Sequence, residues 1–222
     1  MDICLGDMDP FTLNAHRFLG AFGIAAVLSW NKIKTVNRIT LKYSVVVGIA
    51  LVFVYIGATF GVKYTSLSNS GFLCAMTVVF TPLIARIFLK QKQDRKVVLA
   101  VIMCFIGSAL LTLKDDFSIN KDNLKGDLLC IMCAFAYAID LLVTEKAVAH
   151  EEVNAYQLGV FQLGVTGVCN FILAIILEEP HLPTAPAIWA SVLFLAIFCT
   201  GVAFVVQPIA MQYTTASHTG VI

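Results

Sequence analysis

The stretch YSVVVGIALVFVYIGATFGVKYTSLSNSGFLCAMTVVFTPLIARIFL, residues 43–89, decides the fold. Two apolar runs, 43–62 and 70–89, flank a short polar phrase within it. A helix of about 20 largely apolar residues has the length that crosses the hydrocarbon core of a bilayer. The stretch therefore predicts two membrane-spanning helices joined by a polar turn.

The same pattern extends over the whole chain of 222 residues, which is 59% hydrophobic and only 13% charged. We expect an all-α, polytopic transmembrane helix bundle of seven spans. A net charge of +1 gives no reason to expect nucleic acid as a partner. The five further apolar runs are 11–30, 97–113, 126–145, 156–177 and 187–211.

The distribution of Lys and Arg predicts how the spans are oriented. Most of the basic residues outside the spans fall in three alternate loops, 31–42, 90–96 and 146–155. Loops rich in Lys and Arg stay on the cytoplasmic side of a membrane. The pattern predicts a multi-pass protein of the cell (plasma) membrane with the N-terminus of the chain outside.

One polar phrase occurs twice, as YTSLSNSG at residues 64–71 and as YTTASHTG at 213–220. An odd number of predicted spans separates the copies, so they should face opposite sides of the membrane, as in an inverted repeat. The alternative is a chance similarity between two turns rich in Ser, Thr and Gly. In the first copy we expect Ser68 or Asn69 to cap a helix that begins near Ser70.

Three segments resemble parts of the EamA-type drug/metabolite transporters. DPFTLNAHRFLGAFGIAAVLSW (9–30) is similar to that family's second helix, the passage 61–89 to its third and fourth, and KGDLLCIMCAFAYAIDLLVTEKAV (125–148) to its sixth. The resemblance implies an inverted repeat of five plus five helices. Residues 1–113 would then form helices two to five of the first repeat. Residues 114–222 would form helices six to eight of the second, which implies a chain lacking the first and the last two helices.

Among the ionisable side chains inside predicted spans, Arg17 and Asp140 stand out. A charged group at the centre of a membrane helix costs about 2.5 to 3.5 kcal/mol, so such groups are functional candidates. We expect Asp140 either to exchange a proton or meet a cationic group during transport, or to lie in a solvated vestibule. Arg17 resembles the family's helix-two Arg, which implies a structural role.

Small, polar and aromatic side chains recur at helical spacing along several spans. Such stripes are typical of a cavity that binds a modest organic molecule, although packing between helices is the alternative. Pro82 is interpreted as a hinge or a static kink, and the Gly57–Gly61 pair as helix packing. The predicted cavity-lining residues are Tyr55, Thr77, Tyr137, Asp140, Gln162, Phe204 and Gln207.

The seven cysteines lie mostly in apolar runs, which favours core packing over a disulfide framework. Cys130 and Cys133 match C-x-x-C, but the sequence offers them no second pair or His ligand, so packing is favoured over redox or metal chemistry. We predict no catalytic residue, no metal and no cofactor.

The sequence favours a secondary carrier that works by alternating access and moves small metabolites, amino-acid-like compounds or drugs. A seven-helix membrane receptor or sensor is the alternative, suggested by the number of spans. An intramembrane enzyme is disfavoured because Asp140 has no second carboxylate in a matching motif. The expected partners are a small-molecule substrate and the lipid bilayer, with a homodimer left open.

Overall fold

A computed structural model of the chain describes residues 8–88, 124–183 and 185–219, together with positions 4, 6, 95, 98, 99, 101–103, 106 and 107. This part of the chain is helical and contains no β-strand. Six of its helices are long and apolar enough to cross a membrane, and they match six of the seven predicted spans. The seventh predicted span, 97–113, and the loop 90–96 fall largely outside the described residues.

Several of these spans are interrupted, and each regular stretch is numbered separately here. The span Leu67–Ile87 contains a break at Met76, and the span Pro186–Met211 contains a π-helical segment. The elements are α1 (Pro10–Leu28), α2 (Trp30–Ile33), α3 (Arg38–Tyr64), α4 (Leu67–Ala75), α5 (Thr77–Phe88), α6 (Leu124–Val148), α7 (Ala155–Leu177), α8 (Pro186–Phe194), the π segment (Leu195–Val202), α9 (Ala203–Met211) and α10 (Ala216–Thr219).

The expected cap of α4 was wrong by one turn. The helix begins at Leu67, and its cap is Ser66, whose Oγ accepts a hydrogen bond from the backbone N–H of Asn69 at 3.2 Å. A cap side chain reaches the amide two or three positions into the helix, and Ser66 is the residue placed to do so. Ser68 and Ser70, which the sequence suggested as cap and start, lie inside the first turn.

The chain divides into two compact units that each draw on both predicted repeats. Unit 1 comprises Met1–Val52 and Thr144–Tyr213, and unit 2 comprises Phe53–Val143 and Thr214–Ile222. The assignment of 1–113 and 114–222 to two repeats stays a prediction.

In unit 1, a hydrogen bond joins α7 to α3. The Thr166 hydroxyl donates to the Gly48 carbonyl at 3.0 Å and lies 2.8 Å from the Gln162 carbonyl of its own helix. Thr166 is fully buried, so these bonds satisfy a hydroxyl that would otherwise be stranded in apolar surroundings.

In unit 2, the Gly57–Gly61 pair brings α3 against α6. A Cβ added at Gly57 would lie 2.7 Å from the Leu129 carbonyl oxygen, and one at Gly61 would clash with the Cys130 sulfur. Only glycine permits helices to approach so closely. The packing role predicted for this pair is confirmed.

The outward sides of the spans carry large apolar groups. Leu28 is 81% exposed and Val27 78% exposed in unit 1, and Ile87 is 61% exposed in unit 2. Contiguous apolar surface of this kind is unfavourable in water and is the surface that lipid tails cover.

Candidate functional site

Asp140 is a buried acidic side chain of unit 2. It lies in the middle of α6 with 1% of its surface exposed, and its Oδ1 has no hydrogen-bond partner among the described residues. An ionised carboxylate is strongly destabilised in an apolar interior unless it is paired or hydrogen-bonded. The site is therefore incomplete, and a proton, a cation or a hydrogen-bond donor would complete it.

Two of the tyrosines of unit 2 are relevant to Asp140. Tyr137, one turn earlier on α6, lies close enough to Asp140, to Tyr55 of α3 and to Cys133 to interact with each of them electrostatically. Tyr137 is thereby near both Asp140 and Tyr55, each of which was also predicted to line a cavity. A carboxylate beside phenol groups offers hydrogen-bond acceptors, donors and aromatic faces, which suit a small polar or cationic organic molecule.

Thr77, at the start of α5, links three helices through its hydroxyl group, and its predicted role in lining a cavity stays a prediction. Its buried hydroxyl lies 2.9 Å from the Cys74 carbonyl and 3.2 Å from the Ala134 carbonyl, so its single proton serves helix contacts. The Phe80 and Phe135 rings meet edge to face with centroids 6.1 Å apart, which extends the same contact between α5 and α6. Pro82 lies within α5, six residues after the break at Met76.

The cysteine pair of α6 has a third neighbour that the sequence did not suggest. The Cys74 thiol of α4 lies near the thiols of Cys130 and Cys133. The spacing within α6 gave no signal of it, because the contact joins residues far apart in the chain. Within the described ranges, no group of three or more His, Cys, Asp or Glu residues is arranged to hold a metal ion.

Arg17 in unit 1 joins the first span to the last. It is 3% exposed, and its Nε donates to the Thr200 hydroxyl of the π segment at 2.9 Å. Its guanidinium also lies 5.6 Å from the centroid of the Phe18 ring. A π-helical turn is rare and is frequently found at functional sites, and nothing in the sequence pattern signalled it.

Gln162 and Phe204, both predicted to line a cavity, are bonded to each other in unit 1. The Gln162 side-chain amide donates to the Phe204 carbonyl at 2.7 Å. Pro208 stands four residues after Phe204, so the usual helical donor to that carbonyl is missing. Gln162 supplies it, and the amide is used to stabilise α9. Gln207, the remaining predicted residue of α9, is half-buried.

A carboxylate that the sequence analysis did not single out holds the start of α1. Glu178, directly after α7, accepts hydrogen bonds from the Phe11 N–H at 3.0 Å, the Thr12 N–H at 2.8 Å and the Thr12 hydroxyl at 2.9 Å. Asp9 occupies the cap position of α1, and its side chain makes no capping bond. An anion at a helix N-terminus is favourable, but no local pattern tells which distant acid will supply it.

Asn170 in unit 1 was also missed. It is fully buried, its Nδ2 donates to the Thr166 carbonyl at 2.8 Å, and its Oδ1 has no hydrogen-bond partner in the part of the chain that the structure describes.

The predicted site residues fall into two groups. In unit 2, Tyr137 lies near Asp140 and near Tyr55, whereas Arg17, Gln162 and Phe204 bind other helices within unit 1.

Comparison with known proteins places these features in a family context. The profile of the EamA-like transporter family matches residues 1–113 and 124–222. An uncharacterized transporter of Archaeoglobus fulgidus is 27% identical over 226 residues, which cover 99% of this chain and 75% of that protein. Another from the same organism is 29% identical over 141 residues, 63% of this chain and 41% of that protein.

Two further similarities complete the comparison. The uncharacterized transporter YcxC of Bacillus subtilis is 28% identical over 142 residues, which cover 62% of this chain and 45% of that protein. The match to YcxC, like the shorter Archaeoglobus match, spans less than half of the relative. One crystal structure shares the fold, with a TM-score of 0.78 at 17% identity, over 98% of this chain and 75% of that chain.

Proposed function

Because the chain belongs to the EamA-like transporter family, we propose that it is a secondary carrier that moves small organic molecules across a membrane by alternating access. The six long apolar helices among the described residues make it a multi-pass membrane protein. The substrates that we propose are small metabolites, amino-acid-like compounds or drugs. Family membership favours the carrier over the receptor or sensor, and over an enzyme.

The observation that carries the proposal is the incomplete site around Asp140. A fixed internal partner for the carboxylate would make it a structural group, but its Oδ1 has none in the described structure. Tyr137 and Tyr55 supply hydroxyl groups and aromatic faces in the same unit. A transported molecule with a cationic or hydrogen-bond-donating group would complete this site, and a proton would complete it when the molecule has left.

The two polar phrases support alternating access through inverted halves. In the first, α4 begins three residues after Tyr64, and in the second, α10 begins three residues after Tyr213. At matching positions Ser66 is bonded to Asn69, and the Thr215 hydroxyl is 2.8 Å from the His218 ring nitrogen. A hydroxyl side chain that contacts the residue three positions later, at each of two helix entrances, is what a repeated unit would produce.

We place the protein in the plasma membrane with its N-terminus outside, because the basic loops 31–42 and 146–155 should be cytoplasmic. Single cysteines introduced by N69C and H218C in a cysteine-free background test this together with the repeat. An impermeant maleimide should label the first from outside intact cells and the second only after permeabilisation. Labelling of both from one side would contradict the inverted repeat.

The transport role of Asp140 is tested by D140N in proteoliposomes. Uptake of radiolabelled amino acids and cationic drugs is measured as a panel at two pH values, with D127N as the matched control. Asp127 lies on the same helix, where it accepts a hydrogen bond from the Thr65 hydroxyl at 2.5 Å. We expect D140N to abolish uptake or remove its pH dependence and D127N to transport normally. Unchanged uptake by D140N would remove Asp140 from the mechanism. Folded protein that moves no compound of the panel would favour the receptor.

A further inference from the structure

Two adjoining clefts in unit 1 share the side chain of Tyr156. One is polar and has a volume of about 610 Å³. The other is apolar, has a volume of about 270 Å³ and extends along α1 and the last span. Because Tyr156 lines both, the two clefts meet at this residue, and the first is richer in polar side chains than the second.

The polar cleft favours an anion. It is lined by Lys32, Asn154 and Gln212 and by the first turn of α7, and none of the described residues in its lining is acidic. The N-terminal turn of a long helix adds partial positive charge to that of the lysine. The Gln157 amide donates to the Lys32 carbonyl at 2.7 Å, so the backbone that carries the lysine is held in place.

The apolar cleft has the form of a groove for a hydrocarbon chain. On α1 its lining consists of Ala21, Ile24, Ala25 and Leu28, and opposite them lie Gly201 and Val205. The α1 residues recur at helical spacing on one side of the helix, and seven residues of helix extend about 10 Å along its axis. Small side chains on both walls leave the space, and Leu28 is 81% exposed at its mouth.

Aromatic residues fix the depth of the two clefts. Trp30 is 58% exposed at the end of the first span, and the Lys34 ammonium lies 5.1 Å from the centroid of its ring. Tryptophan at such a position marks the level of the lipid headgroups. The Lys32 ammonium lies 5.3 Å from the Tyr156 ring, whose hydroxyl contacts that of Ser29. The polar cleft therefore lies at headgroup depth and the groove at the depth of the acyl chains.

We propose that these clefts bind one anionic phospholipid, with its phosphate beside Lys32 and one acyl chain in the groove lined by Ala25 and Gly201. The site is separate from the Asp140 site and does not depend on the transport proposal. A soluble anion would leave the groove empty. A neutral lipid would gain nothing from the lysine, whereas basic clefts on the predicted cytoplasmic side suit the anionic lipids of that leaflet.

Native mass spectrometry of the whole chain in detergent, titrated with defined lipids, tests the proposal. Wild-type protein should retain dioleoyl phosphatidylglycerol more strongly than dioleoyl phosphatidylcholine. K32Q should weaken phosphatidylglycerol binding about fivefold, which corresponds to about 1 kcal/mol for one basic residue near the membrane surface. K34Q removes the same charge from Lys34, which lies two positions after Lys32 and does not line the cleft. This variant should bind phosphatidylglycerol as the wild type does.

The groove is tested separately by A25F, which fills it, against V27F, whose parent side chain is 78% exposed outside it. A25F should lose phosphatidylglycerol and V27F should keep it. V206F, at a groove position that is 51% exposed, serves the same purpose if A25F does not fold. The proposal is overturned by equal retention of both lipids, by equal effects of K32Q and K34Q, by groove variants that still bind, or by inorganic phosphate that competes fully with the lipid.

Discussion

The Gln162 side-chain amide donates to the Phe204 carbonyl, the one carbonyl in its turn of α9 that Pro208 leaves without a helical donor. Both residues are buried, with 2% and 6% of their surfaces exposed. A polar side chain in one span thus repairs a proline break in another.

This hydrogen bond predicts that the stability contributed by Gln162 depends on the presence of Pro208. Q162L should lower the free energy of unfolding by about 1 to 3 kcal/mol, because it leaves a buried carbonyl without a partner. In a P208A background the restored backbone N–H can take over, and the effect of Q162L should shrink. Thermal unfolding in detergent of the two single variants and the double variant measures this. Equal effects in both backgrounds would contradict the explanation.

Glu178 should stabilise the start of α1 through its charge. E178Q keeps one acceptor oxygen and loses the anion that receives two backbone amides and a hydroxyl. We expect a loss of about 1 to 2 kcal/mol, the range of a lost helix cap. E179Q provides the matched control, since Glu179 is exposed and adjacent. Equal melting temperatures of E178Q and E179Q would show that Glu178 does not stabilise the start of α1.

Arg17 should tolerate lysine poorly. The bond to Thr200 uses Nε, a donor within the guanidinium fork, and lysine has no donor at that place. R17K should therefore destabilise unit 1 even though it keeps the charge. T200V removes the acceptor with little change of shape and should lower the free energy of unfolding by about 1 kcal/mol. A melting temperature of R17K equal to that of wild type would show that charge alone matters.

Gly57 should not accept even one methyl group. Its Cβ would lie 2.7 Å from the Leu129 carbonyl oxygen, a distance that forces α3 away from α6. Overpacking of this kind costs about 1 to 3 kcal/mol. At Gly71, in the exposed part of α4, a Cβ would meet nothing within 4 Å. G71A should be neutral or stabilising, and if G57A behaves likewise in the same unfolding assay, the close contact is not needed.

Local sequence patterns were sufficient for the spans and the Gly57–Gly61 contact, because length, apolarity and small-residue spacing are properties of one segment. The buried acid at Asp140 was predictable for the same reason. Tyr55 and Tyr137 were predicted only as members of separate stripes, since the spacing of residues along α3 and α6 does not tell which faces of the two helices meet.

The features that escaped prediction all depend on residues distant in the chain. Glu178 caps α1 by a bond to Phe11, which lies 167 positions earlier in the sequence, and Cys74 lies near two cysteines of another helix. The misplaced cap of α4 is a different error, in which several adjacent hydroxyl side chains compete for one role and backbone geometry selects Ser66.

The π segment Leu195–Val202 has a consequence for how the last span tolerates changes in length. Each of its bonds encloses one residue more than an α-helical bond does. Deleting a single residue there, such as Cys199, would let the backbone close into the narrower turn and leave the faces above and below it in place. The same deletion in a regular helix would rotate everything beyond it by about 100°. The last span therefore carries a spare residue that a regular α-helix lacks.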